Sequence, residues 1–482
     1  MDSAHSGPAL PPGPRALPII GNILDLPRSQ PWITFKKWSD TYGGIVHVNA
    51  IGQHMIILND PQLAIDILDK KSRIYSDRPK LTMASLVGWD KGPALIPPGS
   101  RWSEYRRLFV QYLGTRSRVA EFHNILQEGV EEFLNQMFKE PEQWVAHTRR
   151  YAGKIVLVMA YGYRPAQHND PLIKLVDDAM DQFSEITVPG AFLVDIFPVL
   201  QYIPAWLPGA GWKRKAMSYR QTLHNMLNVP YEWTKNEMKS GTAFPSFLAS
   251  ELENQHLSVE GEDIIKWAAA GIYSGGADTV VAGIESFFLA MTFHRIEQQK
   301  AQQEIDSVIG ANRLLTLQDR KRLPYVEALL TEVLRVYTSI PIGLPHASRE
   351  DDVHDGHFIP KGSIIFTNNR KFLNDPQMYP NPEAFVPERF MEPQNHSKPT
   401  HPKEYLFGFG RRTCPGIHLA DASTWLLCAN VLAAFDISAP VKDGEVLMPT
   451  GKYMDGIISH PEPFECSIKP HSHTAVELLK GP

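Results

Sequence analysis

One cysteine in this chain stands where a metal-ligating thiolate would be made. Residues 401–420 read His-Pro-Lys-Glu-Tyr-Leu-Phe-Gly-Phe-Gly-Arg-Arg-Thr-Cys-Pro-Gly-Ile-His-Leu-Ala, a glycine-punctuated loop that delivers Cys414 to the start of an apolar helical pattern. A helix N-terminus stabilises negative charge, and Arg411 and Arg412 add to the local positive field. Gly408, Gly410 and Gly416 let backbone approach a large ligand closely. Phe407 and Phe409 can shield the sulfur from water, while spare N–H groups hydrogen-bond it and set its electron donation. Haem iron held by cysteine needs such a setting. An isolated cysteine is more commonly a small core hydrophobe. A zinc reading would pair Cys414 with His418, but no second cysteine pair exists, because Cys428 and Cys466 stand alone.

A second group of residues lies within the strongest helical pattern of the chain, 258–291. Ser258 is placed to cap it, and Glu260, Glu262 and Asp263 occupy its first turn. In its middle Gly275-Gly276-Ala277-Asp278-Thr279 puts two glycines where they cost roughly 2 kcal/mol of helix propensity. Two explanations fit: a close helix crossing, or a local widening that admits an oxygen species while Asp278 and Thr279 relay protons. Elsewhere Glu332 and Arg335 are three apart on one helical face, a spacing usually seen in surface ion pairs worth ~0–1 kcal/mol.

Four separated motifs resemble the cytochrome P-450 superfamily. Phe407, Gly410, Arg412, Cys414 and Gly416 match its Phe-x-x-Gly-x-Arg-x-Cys-x-Gly signature at every fixed position, which implies haem b with Cys414 as the axial thiolate. Gly275 to Thr279 is similar to its oxygen-activation segment, with Val280 where Thr or Ser is usual. The resemblance implies that Thr279 hydrogen-bonds the activated oxygen and that Asp278 helps carry protons inward. Arg389, in Phe385-Val386-Pro387-Glu388-Arg389-Phe390, stands where the family completes a Glu-Arg-Arg cluster, so Glu332, Arg335 and Arg389 would lock the Cys-bearing loop. For the haem carboxylates the resemblance implies Trp102 and Arg106, as a Trp-x-x-x-Arg pattern, with His346 and Arg412. The run from Val188-Pro189-Gly190 through Asp195-Ile196-Phe197-Pro198 to Pro204-Ala205-Trp206-Leu207-Pro208-Gly209 looks like the fungal, microsomal, secondary-metabolism branch, where this loop touches the membrane. Trp206, Leu207 and Trp212 beside Lys213, Arg214 and Lys215 agree with that by type, although an ordinary inter-helix loop reads the same way.

The elements that must position these groups are mostly helical. At 482 residues with 43% hydrophobic and 21% charged content the chain is globular and can bury a large core. Its net charge of −5 argues against a nucleic-acid partner, and its three cysteines against a disulfide framework. Short alternating runs at 45–49 and 54–58 predict a hairpin, helical patterns dominate 61–337, and short strands are expected near Phe358 and Ile364. Residues 268–291 are apolar but interrupted by Gly275, Gly276, Asp278 and Glu285, which predicts a buried helix rather than a membrane span.

The expected architecture is mainly α with a minor β part, the cytochrome P-450 fold in one domain. Residues 1–25 would form a Pro-rich lead-in without an anchor, 26–470 the catalytic domain and 471–482 a tail. The implied reaction is monooxygenation of an apolar small molecule, with NADPH electrons arriving through a separate reductase, and cytochrome b5 as a further donor, at the cytosolic face of the endoplasmic reticulum. A reductase-independent haem-thiolate isomerase or dehydratase and a non-catalytic haem protein are the alternatives. The pocket is expected from 81–96, 188–197, the helix face of Ala269 and Tyr273, 340–344 and 453–458.

Overall fold

The computed structural model describes residues 8–188, 190–253, 257–310, 312–391 and 399–480, so Pro189 of the predicted membrane-contact run lies outside them. A helix of 35 residues, Val259–Phe293, runs through the centre, and at 1.5 Å per residue it is about 50 Å long. Ser258 caps it as its sequence predicts, its Oγ accepting from Gly261 N at 3.0 Å, with Glu260 and Glu262 in the first turn. Its most apolar stretch is 78% buried, as is 67% of the equally apolar Ile417–Ala434 helix. Both have the length and composition of membrane spans, and both lie in the core.

Around the central helix pack Ser100–Leu113, Trp144–Tyr161, Pro171–Thr187, Pro324–Val336 and Ile417–Ala434. Trp144–Tyr161 makes the most extensive contact and is buried on nearly every face over its last three turns, so a long unbroken apolar run there is what its position demands. These helices share one large apolar core.

The β part is small and set to one side. Antiparallel strands Ile45–Ala50 and Gln53–Leu58 form the predicted hairpin, with Ile45 opposite Leu58. Ile364–Thr367 joins the second strand in parallel, Met55 opposite Ile364, and His346–Ala347 completes the sheet antiparallel to it. Segments 8–25 lie along this hairpin, with His47 N donating to Pro12 O at 2.9 Å. At the other end of the chain His473–Lys480 buries Ala475 and Leu479.

Candidate functional site

A cavity of about 390 Å³ joins the Cys414 loop to the central helix. Of the three cysteines, Cys414 lines it; Cys428 lines a smaller neighbouring cavity, and Cys466 packs against the main core. The loop is held by its own backbone and by two other parts of the chain. Cys414 N donates to Phe407 O at 2.7 Å, Arg106 Nη1 donates to Thr413 O at 2.7 Å, and Gly410 N donates to the Asp69 carboxylate. Phe407, Gly408, Phe409 and Gly416 line the cavity with the cysteine. Gly410 does not: its φ is +52° and a Cβ there would sit 2.5 Å from Leu68 O, so close backbone packing requires this glycine. Burial pushes the Cys414 thiol up, against a Gly416 N–H and the Arg106 charge. A thiolate therefore needs a cation bound to its sulfur here, which a haem iron supplies.

The cavity wall carries Arg78, Arg106, Arg411, Arg412 and His346, and no Asp or Glu among the described residues. Arg412 donates from Nε to Ser76 O at 2.8 Å and from Nη2 to Ile96 O at 2.7 Å, and its guanidinium lies 5.0 Å from the Trp102 ring centre. Arg78 donates to Ala94 O, Leu344 O and Pro345 O at 2.7–3.0 Å. Burial lowers Arg78 and Arg412, the latter to about 10, and the two cations lie close enough for Arg412 to depress Arg78 further. His346 is buried beside them; burial and then Arg78 hold it well below its ordinary value, with Nδ1 2.7 Å from Tyr75 O. Such a cluster is unfavourable without anions, and two carboxylates entering it reverse the sign of these effects. The donor set therefore fits the haem propionates. Trp102, Arg106, His346 and Arg412 are brought together as their motifs imply, whereas Arg78 was not anticipated. Its signal was the Asp77-Arg78-Pro79 step, which has no distinctive spacing to the others.

Glu332, Arg335 and Arg389 form one buried cluster. Arg335 clasps Glu332 with Nε and Nη2 at 2.7 and 2.8 Å, and Arg389 Nε donates to Glu332 Oε1 at 3.0 Å. The remaining guanidinium donors reach Leu373 O, Pro380 O and Ala384 O, while Val386 N donates to Glu332 Oε1. Arg335 also lies 5.3 Å from the Tyr379 ring centre. Tyr379, Phe390, Tyr405 and Phe409 belong to one apolar core, which connects this cluster to the cysteine loop.

On the central helix the two glycines have different tasks. A Cβ on Gly276 would meet Val156 Cγ1 at 2.5 Å, so this residue permits the close crossing with Trp144–Tyr161. Both glycines line the cavity, but a Cβ on Gly275 would meet nothing within 4 Å. The helix stays α-helical throughout, so its opening to the cavity comes from a missing side chain and not from a widened turn. Thr279 lines the cavity, its Oγ1 donating to Gly275 O at 2.8 Å. Asp278 is 3% exposed and points elsewhere, where His460 Nε2 approaches its Oδ1 to 3.1 Å.

The pocket's apolar wall differs from expectation in register. Ala269 and Tyr273 are fully buried against the helix neighbours, with Tyr273 Oη donating to Leu172 O. Gly271, Ile272, Ser274, Gly275, Gly276, Thr279 and Val280 take the cavity face instead. Among the described residues, none of 188–197 lines this cavity; Met180 and Phe183 of Pro171–Thr187 stand in their place, with Trp89 4.8 Å from Phe183 between ring centres. Residues Trp89 to Ala94 in part, Ile340, Gly343, Leu344, Ile457 and Ile458 fall where they were expected.

A family model described as cytochrome P450 matches residues 11–468. The chain is 49% identical to cytochrome P-450 monooxygenase 208 of Postia placenta, over 98% of this chain and 92% of that protein. It is 43% identical to cytochrome P-450 monooxygenase claR of Ampulloclitocybe clavipes, covering 98% and 88%. It is 36% identical to the O-methylsterigmatocystin oxidoreductase of Aspergillus flavus, covering 98% and 90%.

Proposed function

The chain belongs to the cytochrome P-450 family, and we propose that Cys414 is its haem-ligating thiolate, with Asp278 and Thr279 moving protons to the reacting oxygen. The enzyme is a haem-thiolate monooxygenase of the kind named from fungal secondary metabolism, working with a redox partner on a small molecule. Haem, when bound, supplies the oxygen activation and the atom transfer. The residues of this chain hold and tune it. Cys414 provides the thiolate, Phe407 and Phe409 keep water from the sulfur, and Trp102, Arg106, His346, Arg412 and Arg78 receive the carboxylates. Glu332, Arg335 and Arg389 fix the segments on which the cysteine loop rests. Thr279 holds a hydroxyl proton at the cavity wall, and Asp278 stands one residue back to replace it.

The observation that carries this reading is a single cavity that joins Cys414 to Thr279 and is rimmed by guanidinium groups without a carboxylate. Its remaining wall is mostly apolar, with Trp89, Phe109, Phe183, Ile272 and Leu344 beside a few uncharged polar groups such as Ser274 and Asn369, so the substrate is an uncharged, mainly apolar molecule. Electrons come from NADPH through a separate reductase, with cytochrome b5 as a second donor. The exposed Val199, Tyr202, Trp206 and Met217 support peripheral contact with the endoplasmic reticulum membrane. The test is the carbon monoxide difference spectrum of the reduced holoprotein beside that of Cys414→His, followed by NADPH consumption with a reductase. A red-shifted Soret band lost in the variant, together with reductase-dependent NADPH oxidation, is the expected result. A well-folded wild-type protein without that band would overturn the assignment of Cys414.

A further inference from the structure

Behind the cavity wall lies a charged cluster that the proton relay alone does not explain. His460 is 8% exposed and bridges two carboxylates of the central helix, with Nε2 3.1 Å from Asp278 Oδ1 and Nδ1 2.7 Å from Glu285 Oε2. Both ring nitrogens therefore face carboxylate oxygens, an arrangement that favours the doubly protonated imidazolium. The Asp278 contact is an ion pair off the hydrogen-bonding direction, so Oδ1 is left without an aligned donor. From the neighbouring helices Asp177 and Asp181 of Pro171–Thr187 and Arg149 of Trp144–Tyr161 face the same cluster, Arg149 Nη1 lying 3.3 Å from Asp177 Oδ1. Neither Asp278 nor any of these groups lines the substrate cavity.

We propose that His460 is a positioning residue for proton supply: by pairing with Asp278 and Glu285 it turns the Asp278 carboxylate out of the cavity, so that Asp278 is recharged from the side of Asp177 and Asp181. The proposal rests on the reading of Asp278 as a proton relay. For each proton delivered, Asp278 passes one toward Thr279 and takes one from the solvent side, twice for every two electrons received, while the imidazolium keeps its charge. Burial lowers His460 and the two carboxylates outweigh it, pushing it up to about 10. Burial, then Asp278, raises Asp177 to about 6 against the opposing Arg149, which brings Asp177 within reach of proton exchange near neutral pH. Because His460 does not itself line the cavity, its loss alters proton supply while every cavity-lining side chain is retained.

The decisive measurement is the protonation state of His460 in the reduced, carbon-monoxide-bound holoenzyme, from the ¹⁵N-histidine spectrum, its signal assigned by its absence in His460→Gln. A doubly protonated ring at pH 8 is expected; a neutral ring at pH 8 would overturn the proposal and needs no variant to fold. A second readout uses NADPH, oxygen and reductase without added substrate, where NADPH, a proton and O2 give NADP+ and hydrogen peroxide. The solvent deuterium isotope effect on this reaction should at least double in His460→Gln and return toward the wild-type value in His460→Lys. Asp278→Asn separates the two readings. If it leaves the isotope effect unchanged, the relay itself is wrong. If it changes the effect while His460→Gln with normal haem content does not, the assignment of His460 alone falls.

Discussion

The two buried ionic clusters, Glu332–Arg335–Arg389 and Asp278–His460–Glu285, are built from opposite ratios of charge. In the first, one carboxylate is shared by two guanidinium groups whose spare donors all end on backbone carbonyls. Its cations are both guanidinium groups, planar forks that hold several fixed donors at once. In the second, one titratable imidazolium is shared by two carboxylates, and one oxygen lacks an aligned partner. The first cluster fixes backbone segments in place, and the second leaves one carboxylate oxygen, Asp278 Oδ1, without an aligned donor. Burial alone does not distinguish them; the identity of the cation does.

Four substitutions and one titration sharpen this contrast. The largest effect is expected from Glu332→Ala, which leaves two guanidinium groups facing each other in a dry site and should cost about 3–5 kcal/mol. Its readout is haem incorporation, which should be abolished; purified Glu332→Ala with a normal haem complement would show that the cluster does not hold the cysteine loop. The pH response comes next. His460 is raised to about 10 from 6.5, so the stability it contributes is full below pH 6.5 and is lost as pH rises through about 10. The melting temperature of the wild type should therefore fall between pH 7 and 10, and that slope should flatten in His460→Gln. An equal slope in both proteins would remove His460 from the account.

Smaller effects are expected at the helix crossing. Gly276→Ala drives a methyl group into Val156 and should destabilise by about 1–3 kcal/mol in urea unfolding. Gly275→Ala, one position away, has room and should gain up to ~1 kcal/mol from helix propensity, its cost appearing only in cavity volume and ligand-induced spectral shifts. Equal penalties at both positions would contradict the division of labour between these glycines. The smallest change is expected for Lys174→Ala, whose ion pair with Asp178 at 3.2 Å is exposed on the helix surface, and which should alter unfolding by less than about 0.5 kcal/mol.

The hairpin, the central helix with its Ser258 cap and the cysteine loop were legible in the sequence because each is specified within a short span. The cap is a contact between Ser258 and Gly261, and the loop is tied by Cys414 N to Phe407 O. The cavity face of the central helix was not legible. That helix is apolar nearly all round, so its periodicity carries no phase, and the choice of Ala269 and Tyr273 over Gly271 and Ile272 had no signal to correct it. Arg78 and His460 were missed for a different reason. Their partners lie far along the chain, 175 residues away in the case of Glu285, and neither residue sits in a motif whose spacing marks it.

By itself the sequence determined the ligand chemistry: which cysteine is presented on a glycine-rich turn, which residues follow it at fixed spacing, and which helix carries Asp278 and Thr279. Those properties depend on neighbours in the chain, whose geometry is set by backbone stereochemistry over a few residues. Only the tertiary structure decided that Gly276 and not Gly275 is pinned by a helix crossing, that Arg78 joins the other cations, and that Asp278 is turned toward His460. These follow from which surfaces exclude water together, and burial is a property of the packed molecule that no local spacing encodes.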